Sequence, residues 1–320
     1  MKQNLVLYIG DPHLKISRFE ESKMLLSWIE NTVAEVKPQV VVYLGDTLDT
    51  HAAMRSEVVS IFTSHLLAVS KHCGGIIHLL GNHEMVRQDS YSHHSLICLK
   101  TIPNVEVIDE CRVIDGTTYC PYIHDSFLFP KINTQLAVAH QTFLGSQYSG
   151  FRPKEGVDVR ELGCELVISG HIHERQQFDS VIYPGTPIAT SLSDVNQDKG
   201  ILLMDTSTFK YRYIESPFPR YRSWEINETS QSIPIIANND KYIMKVVGSK
   251  TFCSSFLSSK DAKELSAQGV IFRPSYTDSI KIERVVIQSR KSIKEMATEY
   301  VDKVLVTKNA PLIKEIIEGL

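Results

Sequence analysis

The sequence lacks any apolar run near the roughly 18 uninterrupted residues that a membrane helix needs, which excludes an integral membrane protein of that kind. It also lacks a CxxC pair. The six cysteines (73, 98, 111, 120, 164, 253) are scattered, so a thiolate zinc clamp is excluded and they read as small buried hydrophobes in a reducing cytosol. The opening MKQNLVLYIGDPH offers no basic-then-apolar leader with a small-residue cleavage site, so secretion by that route is not expected. Neither charge dominates: 34 basic against 37 acidic side chains give −3, which provides no general attraction to a phosphate backbone. Repeats and low-complexity tracts are missing too. What is present is length: 320 residues, 42% of them apolar, suffice for one large domain and something smaller.

Short apolar runs alternate with helical patterns through the first two hundred residues: LVLYI (5–9), VVVYL (40–44), IIHLL (76–80), LAVAH (136–140) and ELVIS (165–169). That alternation predicts a layered α/β fold. Leu25, Trp28, Ile29, Val33 and Val36 recur at helical spacing ahead of Pro38, as do Val58, Phe62, Leu66 and Val69 ahead of Gly74-Gly75. Near Pro217 and Pro219 the rhythm breaks, and the polar stretch NETSQS (227–232) reads as a linker. Residues 1–222 are therefore expected to form the large domain. Strand, helix and strand patterns at 242–248, 258–269 and 270–276 predict a small α+β domain over 223–289, and two apolar stripes predict a C-terminal helical hairpin over 290–320.

The polar residues collect where the apolar runs end. Gly10-Asp11, Gly45-Asp46, Gly81-Asn82 and Gly170-His171 each follow a predicted strand, and His140 closes another. In layered α/β sheets those strand ends are where ligands bind. Asp11 and His13 are two residues apart, as are His171 and His173, so each pair can face one site. Singly, each motif has an ordinary reading as turn chemistry or a packed histidine. Jointly, two aspartates, one asparagine and five of the 12 histidines make an oxygen and nitrogen ligand set that suits manganese, iron or zinc better than calcium or copper(I). Even without one of the histidines, seven ligands are too many for one ion. Two ions bridged by Asp46 would lie ~3.5–4 Å apart, the spacing that clamps both oxygens of a phosphoryl displacement.

The ordered set DPH, GDTLD, GNHE, H and GHIH resembles the five motifs of the calcineurin-like metallophosphoesterases over about residues 5–215. The resemblance implies a layered β-sandwich flanked by helices. It places Asp11, His13, Asp46 and His173 on one ion and Asp46, Asn82, His140 and His171 on the other. His83 is then the catalytic residue, contacting the scissile phosphate or protonating the leaving group. Asp49 and Glu84 stand behind the ligands to orient the imidazoles.

VIYPGTPIATSLSD (181–194) and CPYIHD (120–125) resemble segments of the SbcD-type nucleases of double-strand-break repair. That branch implies a manganese-dependent exo- and endonuclease subunit (Mg2+ or another divalent cation also suits), a capping domain that helps hold DNA, and terminal helices that dock on an SMC-like ATPase of the SbcC type. A homodimer within that complex, a role in DNA repair and recombination, and a place in the cytoplasm of a bacterial or virus-infected cell are further implications. Arg152 and Lys154 in the polar insertion 145–156, with His93 and His94 after GNHE, are candidate DNA contacts. Glu84 replaces the aspartate usual in that branch; GNHE is the form common in protein serine/threonine phosphatases, which however carry GDxxDRG where this chain has Asp49-Thr50-His51. A phosphomonoesterase or protein phosphatase therefore stays as an alternative, and a non-catalytic scaffold as another.

Overall fold

The computed structural model describes residues 4–49, 54–87, 90–148, 150–230, 232–233, 235–236 and 240–277. Its first strand, β1 (Leu5–Ile9), feeds two different cores with alternate residues. Val6 and Tyr8 face one apolar cluster, while Leu7 and Ile9 face another. A strand buried on both faces is expected to be continuously apolar, and LVLYI is.

The chain continues through α1 (Phe19–Val36), β2 (Val40–Tyr43), α2 (Ser56–Val69) and β3 (Gly75–Leu79). Lys37 closes α1 in the left-handed region (φ 51°), its N–H donating to Val33 O, and Pro38 bars a further turn. After the small hairpin β4 (Met85–Arg87) and β5 (Ser90–His94) come β6 (Val105–Ile108), β7 (Arg112–Ile114), β8 (Thr117–Cys120), β9 (Leu136–His140) and β10 (Leu166–Gly170). Then follow β11 (Gln176–Phe178), β12 (Val181–Tyr183), β13 (Gly200–Asp205) and β14 (Lys210–Glu215).

Two six-stranded sheets result, ordered β14-β13-β1-β2-β3-β6 and β11-β12-β10-β9-β8-β7. Their inner faces share one core, with Tyr8, Val42 and Leu79 from the first sheet meeting Val138, Ile168 and Ile182 from the second. The outer face of the first sheet is covered by α1 and α2 through Leu25, Ile29, Val33, Phe62 and Leu66. The outer face of the second is covered by loop residues, Phe143, Val157 and Leu162 among them. This is the layered metallophosphoesterase sandwich that the sequence predicts. Since β1, β2 and β3 run parallel, and β8, β9 and β10 likewise, the carboxyl ends of three strands gather along one edge of each sheet. That edge carries every predicted ligand.

Phe62 is 2% exposed and meets the Tyr43 ring edge-on at 5.5 Å. Truncating such a side chain leaves a cavity that packed neighbours cannot fill, so Phe62→Ala should cost about 3–5 kcal/mol. The expected result is a lower urea midpoint at unchanged slope.

A third sheet contains β15 (Tyr221–Asn227), β16 (Lys241–Gly248) and β17 (Ile271–Tyr276), all parallel, with α3 (Lys250–Ser258) and α4 (Lys260–Ala267) between the last two strands. It encloses its own core of Ile226, Met244, Val246, Cys253 and Leu265. Of the polar stretch expected to precede this unit, Asn227 ends β15, and residues 228–230 and 232 follow it before β16. Composition marks solvated chain but not whether a strand has already begun. The helical hairpin expected over 290–320 lies outside the described residues, among which no helix is long and apolar enough to cross a membrane.

Candidate metal centre

The exits of β1 and β2 zip together before any side chain acts. His13 N–H donates to Asp46 O (3.0 Å) and Leu14 N–H to Thr47 O (2.7 Å). The exit of β3 is tied on by Glu84, whose carboxylate accepts from the backbone N–H of Asp46 (2.9 Å), Leu48 (2.9 Å) and Gly81 (3.0 Å). Glu84, expected to orient an imidazole, thus fixes loop backbone instead. Burial, followed by the charge of Asp46, lifts its carboxyl to about 7 despite those donors. The second sheet is clamped to the first by His171 N–H on Asp11 Oδ1 and Oδ2 (3.1 and 3.0 Å) and by the His140 ring on Leu44 O (2.7 Å).

These turns are strained. Asp11, His13, Asp46 and His171 all have positive φ (25°, 46°, 48° and 81°), a region that costs a non-glycine residue of order 1–3 kcal/mol and that clusters at functional sites. Gly81 supplies the room: a Cβ there would lie 2.2 Å from Asp46 Oδ1.

The side chains converge in two groups. Nε2 of His140 lies 3.3 Å from Asp46 Oδ2 and 3.2 Å from Asn82 Oδ1, and Nδ1 of His171 lies 2.9 Å from the same amide oxygen. On the other side, Nε2 of His13 and Nε2 of His173 are 2.9 Å apart, while Nδ1 of His13 faces Asp49 Oδ1 at 3.4 Å. Asp49 is also held by Lys15 at 3.3 Å, which suits it to orienting the His13 ring. Potential ligand atoms of Asp46, His140 and His171 all lie within 4.8 Å of one another, as do those of His13, Asp49 and His83.

This donor set fits divalent cations. His140 donates its Nδ1–H to Leu44 O, so in the neutral ring the Nε2 lone pair points at two oxygens that also carry only lone pairs. Charge balance points the same way. Burial opposes protonation of His140, yet Asp46 and Asp11 raise it to about 9; His171 and His173, desolvated beside other imidazoles, fall to about 3. Burial works against Asp46 as well, but His140, His13 and His83 hold it far below the usual carboxylate range, while burial lifts Asp11 to about 6. His171, His173 and Asp46 are thus in the neutral and ionised forms that ligate metal, whereas His140 releases a proton to do so.

His83 stands apart from the rest. Its side chain is 28% exposed, with Nε2 4.0 Å from Asp46 Oδ2, and its backbone N–H donates to Asp46 Oδ1 at 2.8 Å. It lies on the wall of an open cleft of about 340 Å³ together with Tyr148, Ser191 and Ser193. This is a site closed on the protein side and open where a substrate would enter.

Residues 5–175 match the family model of the calcineurin-like phosphoesterases. The chain belongs to that family. This phosphoesterase is 27% identical over 216 residues (62% of its length, 75% of the relative) to "Putative phosphoesterase 244L" of Invertebrate iridescent virus 6. It is 23% identical over 243 residues (68% of each chain) to Exonuclease subunit 1 of Enterobacteria phage T4. It is also 20% identical over 244 residues (63% of this chain, 66% of the relative) to the DNA double-strand break repair protein Mre11 of Nanoarchaeum equitans. Membership makes the phosphoesterase a metal-dependent hydrolase of phosphoester bonds.

The outer candidates are placed less uniformly. Arg152 and Lys154 are exposed on the loop after β9, and His93 is exposed with Nδ1 on Ser92 Oγ (2.9 Å). His94 is buried, its Nε2 3.3 Å from Asp109, so its ring is not available to a ligand. Both histidines belong to β5 rather than to the turn that their polarity suggests. Three residues were given no role by the sequence reading, although Tyr122 and Asp194 lie in the segments CPYIHD (120–125) and VIYPGTPIATSLSD (181–194). Tyr122 packs its ring on His171 (5.5 Å between centroids). Lys199, 2% exposed, donates from Nζ to Thr186 Oγ1, Gln197 Oε1 and the carbonyl of His173 (2.7, 2.8 and 3.1 Å) and sits 3.5 Å from Asp194. Asp194 in turn accepts from Thr190 and Ser191 beside the cleft. A lone lysine ahead of an apolar strand carries no signal that it will be buried.

Proposed function

We propose that this phosphoesterase is the nuclease subunit of an SbcD-type DNA end-processing complex, hydrolysing phosphodiester bonds with a pair of manganese ions. The observation that carries the reading is the convergence of seven potential ligands with a half-exposed His83 beside an open cleft, in a chain that matches over two thirds of its length a phage protein named as an exonuclease subunit. Asp11, His13, Asp46 and His173 would hold one ion and Asp46, Asn82, His140 and His171 the other. When bound, the ions would supply positive charge to the phosphoryl oxygens and acidify the attacking water. The chain does the rest: Asp49 orients His13, the Glu84 clamp holds the Asp46 loop, and His83 gives a proton to the departing oxygen.

Residues 1–222 would then be the nuclease domain and 223–289 the cap that steadies DNA, with Arg152, Lys154 and His93 against its backbone. Residues 290–320 would dock on an SMC-like ATPase, within an assembly of two copies in the cytoplasm. Purified protein with manganese should degrade linear DNA and release nucleotides. Turnover of phosphomonoesters with intact DNA would instead select the phosphatase reading.

A further inference from the structure

β7 and β8 form a hairpin whose register pairs Ile114 with Thr117, Val113 with Thr118 and Arg112 with Tyr119. Continued one residue beyond β7, that register would set Cys111 opposite Cys120. The two-residue loop has positive φ at both Asp115 (47°) and Gly116 (78°), the signature of a type I′ turn closed by a hydrogen-bonded pair. Hydrogen-bonded and non-hydrogen-bonded pairs alternate along an antiparallel ladder. Counting from Ile114–Thr117, the Cys111–Cys120 pair is of the non-hydrogen-bonded kind, with Cα atoms about 4.5 Å apart. That separation lies within the range a disulfide spans.

We propose that Cys111 and Cys120 are a redox modification site, a dithiol that closes to a cross-strand disulfide when it meets a peroxide. The closeness of the two sulfurs favours the Cys111 thiolate and keeps Cys120 protonated. Exposure divides the roles in the same way, since Cys111 is exposed and Cys120 fully buried. The thiolate of Cys111 attacks one peroxide oxygen, the O–O bond breaks, and a sulfenic acid forms with release of hydroxide. Cys120 sulfur then displaces the sulfenic oxygen, its proton leaving with that oxygen as water. Two thiols are oxidised and one peroxide is reduced to two waters. The sequence-based view of all six cysteines as small buried hydrophobes holds for Cys120 and Cys253 and fails for Cys98 and Cys111, which are exposed. Its location gives it reach: β8 ends at Cys120, and Tyr122 two residues on packs against the His140 and His171 rings.

Trypsin cuts after Arg112, so the two cysteines fall on separate peptides, 101–112 and 113–131. Brief treatment of the full chain with hydrogen peroxide, alkylation and non-reducing mass mapping should show these two peptides joined. The link should vanish with dithiothreitol and in Cys111→Ser, and persist in Cys164→Ser, which removes the half-buried thiol nearest Cys120. Full alkylation of both cysteines after the oxidant, or a Cys120–Cys164 link in its place, would overturn the proposal.

Discussion

Asp46→Asn is expected to abolish tight binding of manganese at both positions and to lower phosphodiester hydrolysis about ten-thousand-fold, ~5–6 kcal/mol of barrier. The size follows from where the carboxylate sits. Asp46 faces His140 at 3.3 Å, and its backbone carbonyl accepts from the His13 N–H at 3.0 Å, so it stands between the two groups of imidazoles. The amide has nearly the same shape but no charge, and it turns donors toward a space built from lone pairs. Calorimetric titration should show the loss as a change in stoichiometry or affinity; two ions bound as tightly as before would remove Asp46 from the bridge. A pH series supplies a second check. The His140 proton, held until about pH 9 in the metal-free protein, competes with the cation for Nε2. Binding should therefore strengthen as pH rises from 6.5 toward 9 and release protons to the buffer.

His83→Ser should separate chemistry from binding. A positioned general acid contributes typically 10²–10⁴ in rate, so kcat should fall by about that factor while manganese affinity is unchanged. The reason is again geometric: His83 is a partly exposed imidazole on the cleft wall that belongs to neither proposed ligand set, whereas His13, His140 and the Asp46 carboxylate are buried. The defect should be smallest for substrates whose leaving oxygen is already a weak base, such as an aryl phosphodiester. A uniform loss across leaving groups, or weaker metal binding, would assign His83 to the ligand set.

Both predictions draw on residues that were visible before any fold was known, and the physical reason is simple. A strand buried on both faces must be apolar over four or five residues, so LVLYI, LAVAH and LVISG announce themselves, and whatever polar group follows is delivered to the sheet edge. Asp11, Asp46, Asn82, His140 and His171 are legible on that ground. The helical stripes of α1 and α2 are legible for a similar reason, since each has one buried face. His94 shows where the rule weakens: its place after GNHE made it a candidate DNA contact, yet its ring is buried against Asp109.

What the sequence determined by itself was the list of chemical groups and their order along the chain, because strand burial and strand exit are local properties of composition. Only the tertiary structure decided which atoms meet. The left-handed backbone at four site residues, the three amides gathered by Glu84, the burial of Lys199 and the register of the β7–β8 hairpin depend on the packing of segments against one another or on turn geometry. Contact energies of that kind are set by distance and orientation, which no run of letters encodes one residue at a time.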